Sequence, residues 1–268
     1  MPNPSTPDLG ALLRIAEAAR DHDGQPPFSD QSLVDLRTGE REAILIAEVA
    51  AAIVSPTEAE FVVAPDVRGH GHGTALLERI IAGATGELRI WAHGDHPAAR
   101  RLARSHGLQP VRELLQLRAP VPELRPVETE HFLPGQDEEA WLALNAKAFA
   151  SHPEQGSVSR ADLDELMSES WFSSDDFLVL RDNDQMIGFC WLKTEGGLGE
   201  FYVVGVDPER QRQGLGRRLM DAGFARLAEL GIRTASLYVE ADNAPAVKLY
   251  RSLGFVDHSV DIQYALIR

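Results

Sequence analysis

The spacing of hydrophobic and polar positions predicts alternating strands and helices in the second half of the chain. After Gly216, apolar residues recur every three to four positions, as in an amphipathic helix. These positions are Leu219, Met220, Phe224, Leu227 and Leu230. Short apolar runs bounded by turn residues predict strands at 177–180, 186–192, 201–204 and 234–239. Helical patterns also surround Trp141 and Leu163, and a last helix over 244–253 ends at Gly254.

Two stretches of the chain, 60–73 and 200–216, repeat each other. Four matched pairs share an offset of 143: Pro65 and Pro208, Arg68 and Gln211, Gly71 and Gly214, and Gly73 and Gly216. A second pair of motifs, within 90–108 and 237–255, matches at an offset of 147. The chain is therefore a tandem duplication, and the first copy follows the same order of elements as the second. We predict an α/β fold, of the α+β type with a mixed sheet, in each copy.

A proline-rich segment marks the boundary between the copies. Residues 119–126 contain three prolines, which stiffen the chain and remove backbone donors, as in a short extended linker. We therefore predict an N-terminal domain at 1–118, a linker at 119–126 and a C-terminal domain at 127–268.

Composition and charge argue against several classes of protein. With 41 acidic and 26 basic residues, the net charge of −15 is the opposite of what a general nucleic-acid binder needs, and it disfavours an anionic membrane surface. The sequence contains no apolar run long enough to predict a transmembrane helix, and its first residues lack a signal-peptide pattern. The single cysteine, Cys190, is expected in the core. These features predict a cytoplasmic protein without nucleic-acid or membrane partners, and we expect a monomer.

The negative charge is concentrated in one segment. Residues 127–184 hold 14 acidic and 3 basic side chains, whereas residues 185–268 hold 10 of each. An acidic face favours a cationic amine as substrate, and a solvated charged surface explains part of the excess equally well.

A glycine-containing loop in the second copy indicates an anion site. Residues 208–216 read Pro-x-x-Gln-x-x-Gly-x-Gly and lead into a helix, whose unpaired N–H groups and positive dipole end suit a pyrophosphate. The segment lacks the Gly-Lys-Ser/Thr of a P-loop, and Leu219 breaks the dinucleotide fingerprint. Four arginines near the loop are expected to hold phosphates: Arg210, Arg212, Arg217 and Arg218. The alternative is a tight strand-to-helix turn with solvated arginines.

The histidines of the first copy raise the question of a metal. His70 and His72 form one close pair, and His93 and His96 form another. Neither pair has a cysteine partner or a glutamate at the spacing of a zinc protease, so we predict no metal site.

The second copy resembles the GNAT acetyltransferase superfamily. The likeness rests on 206–216 and on the downstream pattern Asn243-x-x-Ala246-x-x-x-Tyr250-x-x-x-Gly254-Phe255. Members of this superfamily bind the pyrophosphate of acetyl-CoA at the loop and transfer the acetyl group to an amine. The resemblance implies two tandem GNAT acyl-CoA N-acyltransferase domains, with acetyl-CoA as the acetyl donor.

Further motifs narrow the resemblance to tandem members that acetylate the cysteinyl amine of a cysteinyl-glucosaminyl-inositol acceptor. These motifs lie at 91–94, 111–116, 152–156, 197–203 and 237–240. The resemblance places acceptor contacts on Asp30, Glu154, Lys193, Glu200 and Tyr238. Asp30 lies in a loosely aligned stretch, where an aspartate at a helix N-terminus is an equally good interpretation.

Two residues have the chemistry that acetyl transfer needs. Glu200, in the strand before the loop, is a candidate base for the acceptor ammonium, directly or through water. The matching Glu60 in the first copy leaves open that both are ordinary strand-end residues. Tyr250 holds the superfamily's general-acid position, from which it would protonate the thiolate that leaves, and the alternative is a buried aromatic residue. The first copy has Ala103 there, so we expect the N-terminal domain not to catalyse.

The resemblance also assigns acetyl-CoA contacts in both copies. In the second copy they are Val204, Gly205 and Val206 for the pantetheine arm; Gln211, Arg212, Gln213, Gly214, Leu215, Gly216 and Arg217 for the pyrophosphate; and Asn243, Ala244, Pro245, Ala246, Val247 and Lys248 for the rest of the cleft. In the first copy they are Phe61, Val62, Val63, Gly69, His70, Gly71, His72, Gly73 and Thr74. His72 stands where a small or aliphatic residue is expected, which weakens the case for coenzyme binding there.

Two other functions remain open at this stage. One is a tandem acetyltransferase for another small amine, such as an aminoglycoside, or for a protein N-terminus. The other is a non-catalytic acyl-CoA sensor, against which the presence of both Glu200 and Tyr250 argues.

Overall fold

The computed structural model describes residues 8–123, 127–150 and 155–266. The helices in these ranges are α1 (Leu9–Asp23), α2 (Asp30–Thr38), α3 (His72–Gly83), α4 (Pro97–Ser105), α5 (Glu138–Ala148), α6 (Arg160–Ser168), α7 (Leu215–Glu229) and α8 (Ala244–Ser252). The strands are β1 (Glu42–Ile46), β2 (Ala50–Val54), β3 (Glu58–Val63), β4 (Leu88–Ala92), β5 (Gln109–Pro120), β6 (Glu130–His131), β7 (Phe177–Asp182), β8 (Gln185–Glu195), β9 (Leu198–Val206), β10 (Thr234–Glu240) and β11 (Val256–Leu266).

The elements expected in the second half are confirmed, and the fold is the mixed α/β type that the patterns predict. One position is wrong: α7 ends at Glu229, so Leu230 follows the helix and is 40% exposed instead of packing with its apolar face. Cys190 is fully buried in β8, as expected. Within the described residues, no helix combines the length and apolar character that a membrane crossing requires.

The chain forms two compact units, and each contains segments from both halves of the sequence. Of the described residues, unit 1 takes in those up to Leu115, Glu240–Asp242 and those from Ser259 onwards. Unit 2 takes in Gln116–Val239 and Asn243–His258. Strand β5 runs to Pro120, into the stretch predicted as a linker. The predicted boundaries separate the two copies in the sequence, whereas each compact unit groups the residues that contact one another in the fold.

Unit 1 is a sheet in the order β1-β2-β3-β4-β11 with helices on both faces. Strands β3 and β4 are parallel, and β11 pairs antiparallel with β4, with Ile262 opposite Ala92. Strand β2 is buried on both faces, since Ala50 and Ala52 pack in a cluster with α3 residues while Ala51 and Ile53 pack in another with α1 residues. Strand β11, from the second half of the sequence, is therefore part of the first unit's sheet.

Unit 2 is a sheet in the order β5-β10-β9-β8-β7-β6. Strands β6 to β9 pair antiparallel in succession, and β9 pairs parallel with β10. Residues Met186 to Lys193 of β8 are all buried, which explains why this strand has an unbroken apolar run in the sequence. An aromatic cluster that includes Trp141, Phe177 and Trp191 covers one face of this sheet.

Several carboxylates of the acidic segment have structural contacts. Asp137 accepts from the backbone N–H of Leu133 and forms an ion pair with Arg181 at 2.7 Å. Asp176 pairs with Arg226 at 2.7 Å. Asp162 completes a capping box at the start of α6. These contacts explain part of the local negative charge without a substrate.

Candidate active site

The parallel strands β9 and β10 of unit 2 pair over only three residues. Their register runs from Leu198 opposite Thr234 to Glu200 opposite Ser236, although β9 continues to Val206. Beyond Glu200 the two strands no longer pair with each other, and backbone N–H and C=O groups at such a gap need other hydrogen-bond partners. The predicted pantetheine contacts, Val204, Gly205 and Val206, lie on this free stretch of β9. A ligand that is an extended chain with amide groups could form hydrogen bonds with this stretch of β9.

Gly205 has a packing role as well. A Cβ atom added there would lie 2.5 Å from the ring of Phe189, which occupies the space above it. Any larger residue at this position would displace that ring or the strand.

The loop after β9 leaves the start of α7 open to an anion. Gly214 is the N-cap residue in a left-handed conformation with φ 79°, and no side chain caps the helix. Arg212 is also left-handed, with φ 63°. The first N–H groups of α7 thus have no side-chain acceptor within the described residues, an arrangement that suits a pyrophosphate.

Asp207 fixes the beginning of this loop. Its carboxylate accepts from the backbone N–H of Glu209 at 3.0 Å and lies 3.3 Å from the Lys147 ammonium on α5. The Glu209 N–H, with support from the Lys147 charge, lowers the pKa of Asp207. The loop is therefore tied to α5 by a carboxylate that stays ionised.

Three of the four arginines expected to hold phosphates have partners within the described residues. Arg210 pairs with Asp182 at 2.9 Å, Arg217 pairs with Asp221 at 2.8 Å, and Arg218 donates to the Glu128 carbonyl at 2.9 Å. Arg212 has no ion pair within the part of the chain that the structure describes. It is the arginine best placed to meet an anion, because the other three already have partners.

Glu200 lies at the point where β9 and β10 separate. It is half-buried, and it lies directly opposite Lys193 of β8 and Ser236 of β10. The register between β8 and β9 shifts beside it, leaving Tyr202 as an extra residue in β9. Bulges of this kind re-aim side chains next to active sites. A half-buried carboxylate at a break in the sheet is well placed to take a proton from a ligand.

Tyr250 lies on α8, which Asn243 caps by accepting from the Ala246 N–H at 3.3 Å. The ring of Tyr250 packs against Phe255 with centroids 5.9 Å apart. Burial, with a smaller contribution from the neighbouring Cys190, raises the pKa of Tyr250 to about 12. The phenol therefore keeps its proton at neutral pH and can act as a donor.

An aromatic cluster supports the candidate acid. Phe201 packs against Phe224 at 5.1 Å and against Phe255 at 6.1 Å. Phe255 is the residue against which Tyr250 packs. Glu200 precedes Phe201 in β9, and since neighbouring side chains in a strand project to opposite faces, the carboxylate and these rings lie on opposite faces of the strand.

The predicted acceptor residues are only partly brought together. Lys193 and Glu200 face each other, and the hydroxyl of Tyr238 on β10 accepts a hydrogen bond from the Gln116 amide at 2.7 Å. Asp30 belongs to unit 1, where it is the exposed first residue of α2, after the capping Ser29. Glu154 lies outside the described residues. Asp30 is therefore a helix N-terminal residue, and its acceptor contact stays a prediction.

Unit 1 contains the same strand opening and a cavity of about 620 Å³. Strands β3 and β4 pair up to Glu60 opposite Trp91, although β3 continues to Val63. Helix α3 also starts without a side-chain cap, after Gly71 at φ 89°. The cavity is lined by most of the predicted coenzyme contacts of the first copy: Phe61, Val62, Val63, Gly69, Gly71, His72, Gly73 and Thr74. His70 does not line it, and its ring lies 3.1 Å from the Val67 carbonyl.

The carboxylate of Glu60, the counterpart of Glu200, already accepts hydrogen bonds within unit 1. It is 2% exposed and accepts from the backbone N–H of Ser29 at 2.7 Å and from its hydroxyl at 2.8 Å. His93 lies 3.7 Å away and makes a 2.8 Å contact with Asp261 of β11. Burial alone would lower the pKa of His93, but the two carboxylates outweigh it and raise this pKa to about 10.

The two units differ in the candidate catalytic groups that they offer. The carboxylate of Glu60 is held in an internal network, and Ala103, buried on α4, stands where unit 2 has Tyr250. Within the described residues, no three side chains are arranged so that they could hold a metal ion. His93, from one of the pairs considered for a metal, lies between the carboxylates of Glu60 and Asp261.

Three supporting residues of unit 2 were missed by the sequence analysis. Gln116 holds the Tyr238 hydroxyl, Phe255 supports the Tyr250 ring, and Asp207 fixes the anion loop. Gln116 is the last residue of the motif at 111–116, which carries part of the resemblance, and this position could have indicated its role. Asp207 and Phe255 also lie in the segments that carry the resemblance, but these segments did not show which residues each would contact.

Comparison with known proteins identifies relatives over nearly the whole chain. The family model described as "Acetyltransferase (GNAT) family" matches residues 16–108 and 138–255. Mycothiol acetyltransferase of Clavibacter michiganensis subsp. michiganensis is 46% identical over 97% of this chain and 92% of its own. Mycothiol acetyltransferase of Kocuria rhizophila is 43% identical over 98% of this chain and 97% of its own.

A solved structure shares the tandem architecture. It is a tandem GNAT protein from the clavulanic acid biosynthesis pathway, with a TM-score of 0.68 and 15% identity over 96% of this chain and 94% of that one. At this identity the likeness concerns the fold alone.

Proposed function

Because this chain belongs to the GNAT acetyltransferase family, we propose that its second copy acetylates the cysteinyl amine of cysteinyl-glucosaminyl-inositol, the last step of mycothiol biosynthesis. The observation that carries the proposal is the 43–46% identity to mycothiol acetyltransferases across both copies. An acetyl-CoA-dependent N-acetyltransferase needs a donor cleft, an acceptor site, a base and an acid. Unit 2 supplies a candidate for each.

The donor cleft is the opening between β9 and β10 together with the loop before α7. The free stretch of β9 offers backbone partners to the amides of the pantetheine arm. The uncapped start of α7 offers donors to the pyrophosphate, and Arg212, which has no ion pair among the described residues, offers charge. Bound acetyl-CoA supplies an activated thioester, and the residues of this chain orient it.

In the proposed reaction the acceptor nitrogen loses two protons and the leaving sulfur gains one. Glu200 takes the first proton from the acceptor ammonium, directly or through water, so that the neutral amine can attack the thioester carbonyl. The C–N bond forms, the nitrogen releases its second proton to solvent, and the C–S bond breaks as the leaving sulfur receives the proton of Tyr250. Glu200 then gives its proton to solvent and Tyr250 takes one back, so that one proton is released overall. Fixing the amine and the thioester in one orientation supplies much of the rate.

The acceptor contacts we propose are Lys193, Glu200 and Tyr238, with Asp30 and Glu154 retained from the family resemblance. Facing carboxylate and ammonium groups suit an acceptor that combines an amine with many hydroxyls. The hydrogen bond from Gln116 fixes the hydroxyl of Tyr238 for such contacts.

For unit 1 we propose acetyl-CoA binding without transfer. Its cavity coincides with the matching loop and strand, which supports binding. The hydrogen bonds to Glu60 and the presence of Ala103 leave it without a free base or a phenolic acid. The predicted boundaries 1–118 and 127–268, a monomeric state and a cytoplasmic location remain part of this proposal.

The direct test incubates the full chain with acetyl-CoA and the cysteinyl pseudodisaccharide. Mass spectrometry should detect an acceptor heavier by one acetyl group, and thiol titration should show that its sulfur remains free. Acetylation only of aminoglycosides or of peptide N-termini would contradict the proposed acceptor. Binding of acetyl-CoA without transfer to any amine would indicate a sensor instead.

A further inference from the structure

Lys193 is a cation in a buried position. Its residue is 8% exposed, and its ammonium lies 3.7 Å from the Glu195 carboxylate, whose side chain is 76% exposed. The same ammonium lies over the ring of Trp171, 5.2 Å from the centroid. A buried ammonium is costly unless other groups replace its hydration, and the face of an indole ring is one of the groups that do so.

The indole of Trp171 is itself fixed by two further rings. It follows α6, in a turn where the Phe172 N–H donates to the Glu169 carbonyl at 3.0 Å. Its centroid lies 5.6 Å from that of Trp191, which is fully buried, and 5.1 Å from that of Tyr202. Trp171 is thus a half-buried ring attached to the aromatic core of unit 2.

Trp171 lies on the face of the sheet where the proposed base lies. Residues directly opposite each other on antiparallel strands project to the same face, and Lys193 lies opposite Glu200. Trp171 contacts the ammonium, and it also packs against Tyr202, the bulge residue two positions after Glu200 in the same strand. Replacing the indole would therefore remove a direct contact of the Lys193 ammonium, the proposed acceptor-binding group.

We propose that Trp171 is a positioning residue for the acceptor, holding the Lys193 ammonium over its ring so that this group meets the acceptor beside Glu200. The inference rests on the proposed function, in which Lys193 binds the acceptor. Trp171, which lies outside the motifs, would thus contribute to acceptor affinity. It would not contribute to acetyl-CoA binding.

The test compares Trp171→Leu with Phe172→Leu by steady-state kinetics. Phe172 packs against Trp191 with centroids 5.7 Å apart and provides a matched loss of aromatic packing. We expect Trp171→Leu to raise KM for the acceptor about tenfold, with kcat and KM for acetyl-CoA within about twofold of wild type. Trp171→Phe keeps a ring face and should recover KM to within about threefold. Phe172→Leu should leave KM for the acceptor unchanged.

A double-mutant cycle with Lys193→Met separates positioning from packing. If Trp171 acts through the ammonium, Trp171→Leu should change KM by less than about twofold in the Lys193→Met background. An equal KM increase in both backgrounds, or equal increases for Trp171→Leu and Phe172→Leu, would overturn the inference. Should Trp171→Leu fail to fold, Trp171→Met, which keeps a large apolar side chain without a ring, takes its place in the cycle with Lys193→Met. Wild-type protein that does not acetylate the pseudodisaccharide would instead contradict the proposed function.

Discussion

At the scale of single residues, Tyr250 is the group that most clearly separates the two copies. Its phenol rests on Phe255, and its raised pKa of about 12 keeps it protonated. The matching alanine of the first copy has no proton to give. The sequence alone identified this difference, because it depends on residue type at one aligned position.

Replacing Tyr250 by Phe removes the proposed proton donor and keeps the ring. We expect kcat to fall at least a hundredfold, while KM for acetyl-CoA stays within about twofold. Because the pKa of Tyr250 is about 12, wild-type kcat should show no loss from its deprotonation between about pH 8 and pH 10. Turnover of Tyr250→Phe equal to that of wild type, measured by acetylated product, would exclude the general-acid role.

Arg212 adopts a left-handed conformation that its counterpart Gly69, at φ 82°, adopts without strain. Arg212→Gly should therefore raise stability by about 1 kcal/mol, seen as a higher Tm, and raise KM for acetyl-CoA several-fold through loss of charge. Arg212→Ala is the matched control, because it loses the charge and keeps the strain. It should raise KM without raising Tm. A KM that stays constant in both variants would show that Arg212 does not meet the donor.

At the scale of elements, local patterns predicted where strands and helices lie but not which strands would pair. The buried run of β8 was visible because both of its faces are covered. The pairing of β11 with β4 could not be predicted, because an apolar strand pattern carries no information on which strand will be its neighbour in the sheet. The same limit hid Gln116 and Phe255, whose roles depend on contacts across 122 and 54 positions of the chain.

The aromatic cluster of Phe201, Phe224 and Phe255 supports the candidate acid, Tyr250. Phe255→Leu should lower kcat about tenfold, because Tyr250 loses the ring on which it rests, with a stability loss of about 1 to 2 kcal/mol. Phe132→Leu, in the cluster on the other face of unit 2, serves as the control. It should cost similar stability by urea unfolding and leave kcat unchanged. Equal kcat losses in the two variants would point to general destabilisation.

At the scale of the whole molecule, the two copies have kept the same framework and diverged in their buried charges. Unit 1 holds His93 between Glu60 and Asp261, whereas unit 2 leaves Glu200 half-buried at its strand opening. The internal network of unit 1 predicts a pH dependence of stability.

The pKa of His93 is raised from 6.5 to about 10, so protonated His93 stabilises the folded state. This contribution is complete below about pH 6.5 and is lost as pH rises towards about 10. Thermal unfolding should show Tm falling over this range in wild type, and the fall should be smaller in His93→Gln. Parallel Tm curves for the two proteins would contradict the ionised network.

The place of β11 in the sheet of unit 1 also constrains the order of events during synthesis. Unit 1 takes its first strands from the first copy, yet its sheet also contains Ile262 to Leu266 of β11. At 5–20 residues per second, β11 is made on the order of ten seconds after β5. During that time the edge of β4 that β11 will cover lacks the strand that pairs with it in the folded protein. The sheet of unit 1 can therefore be completed only after the second copy has been synthesised.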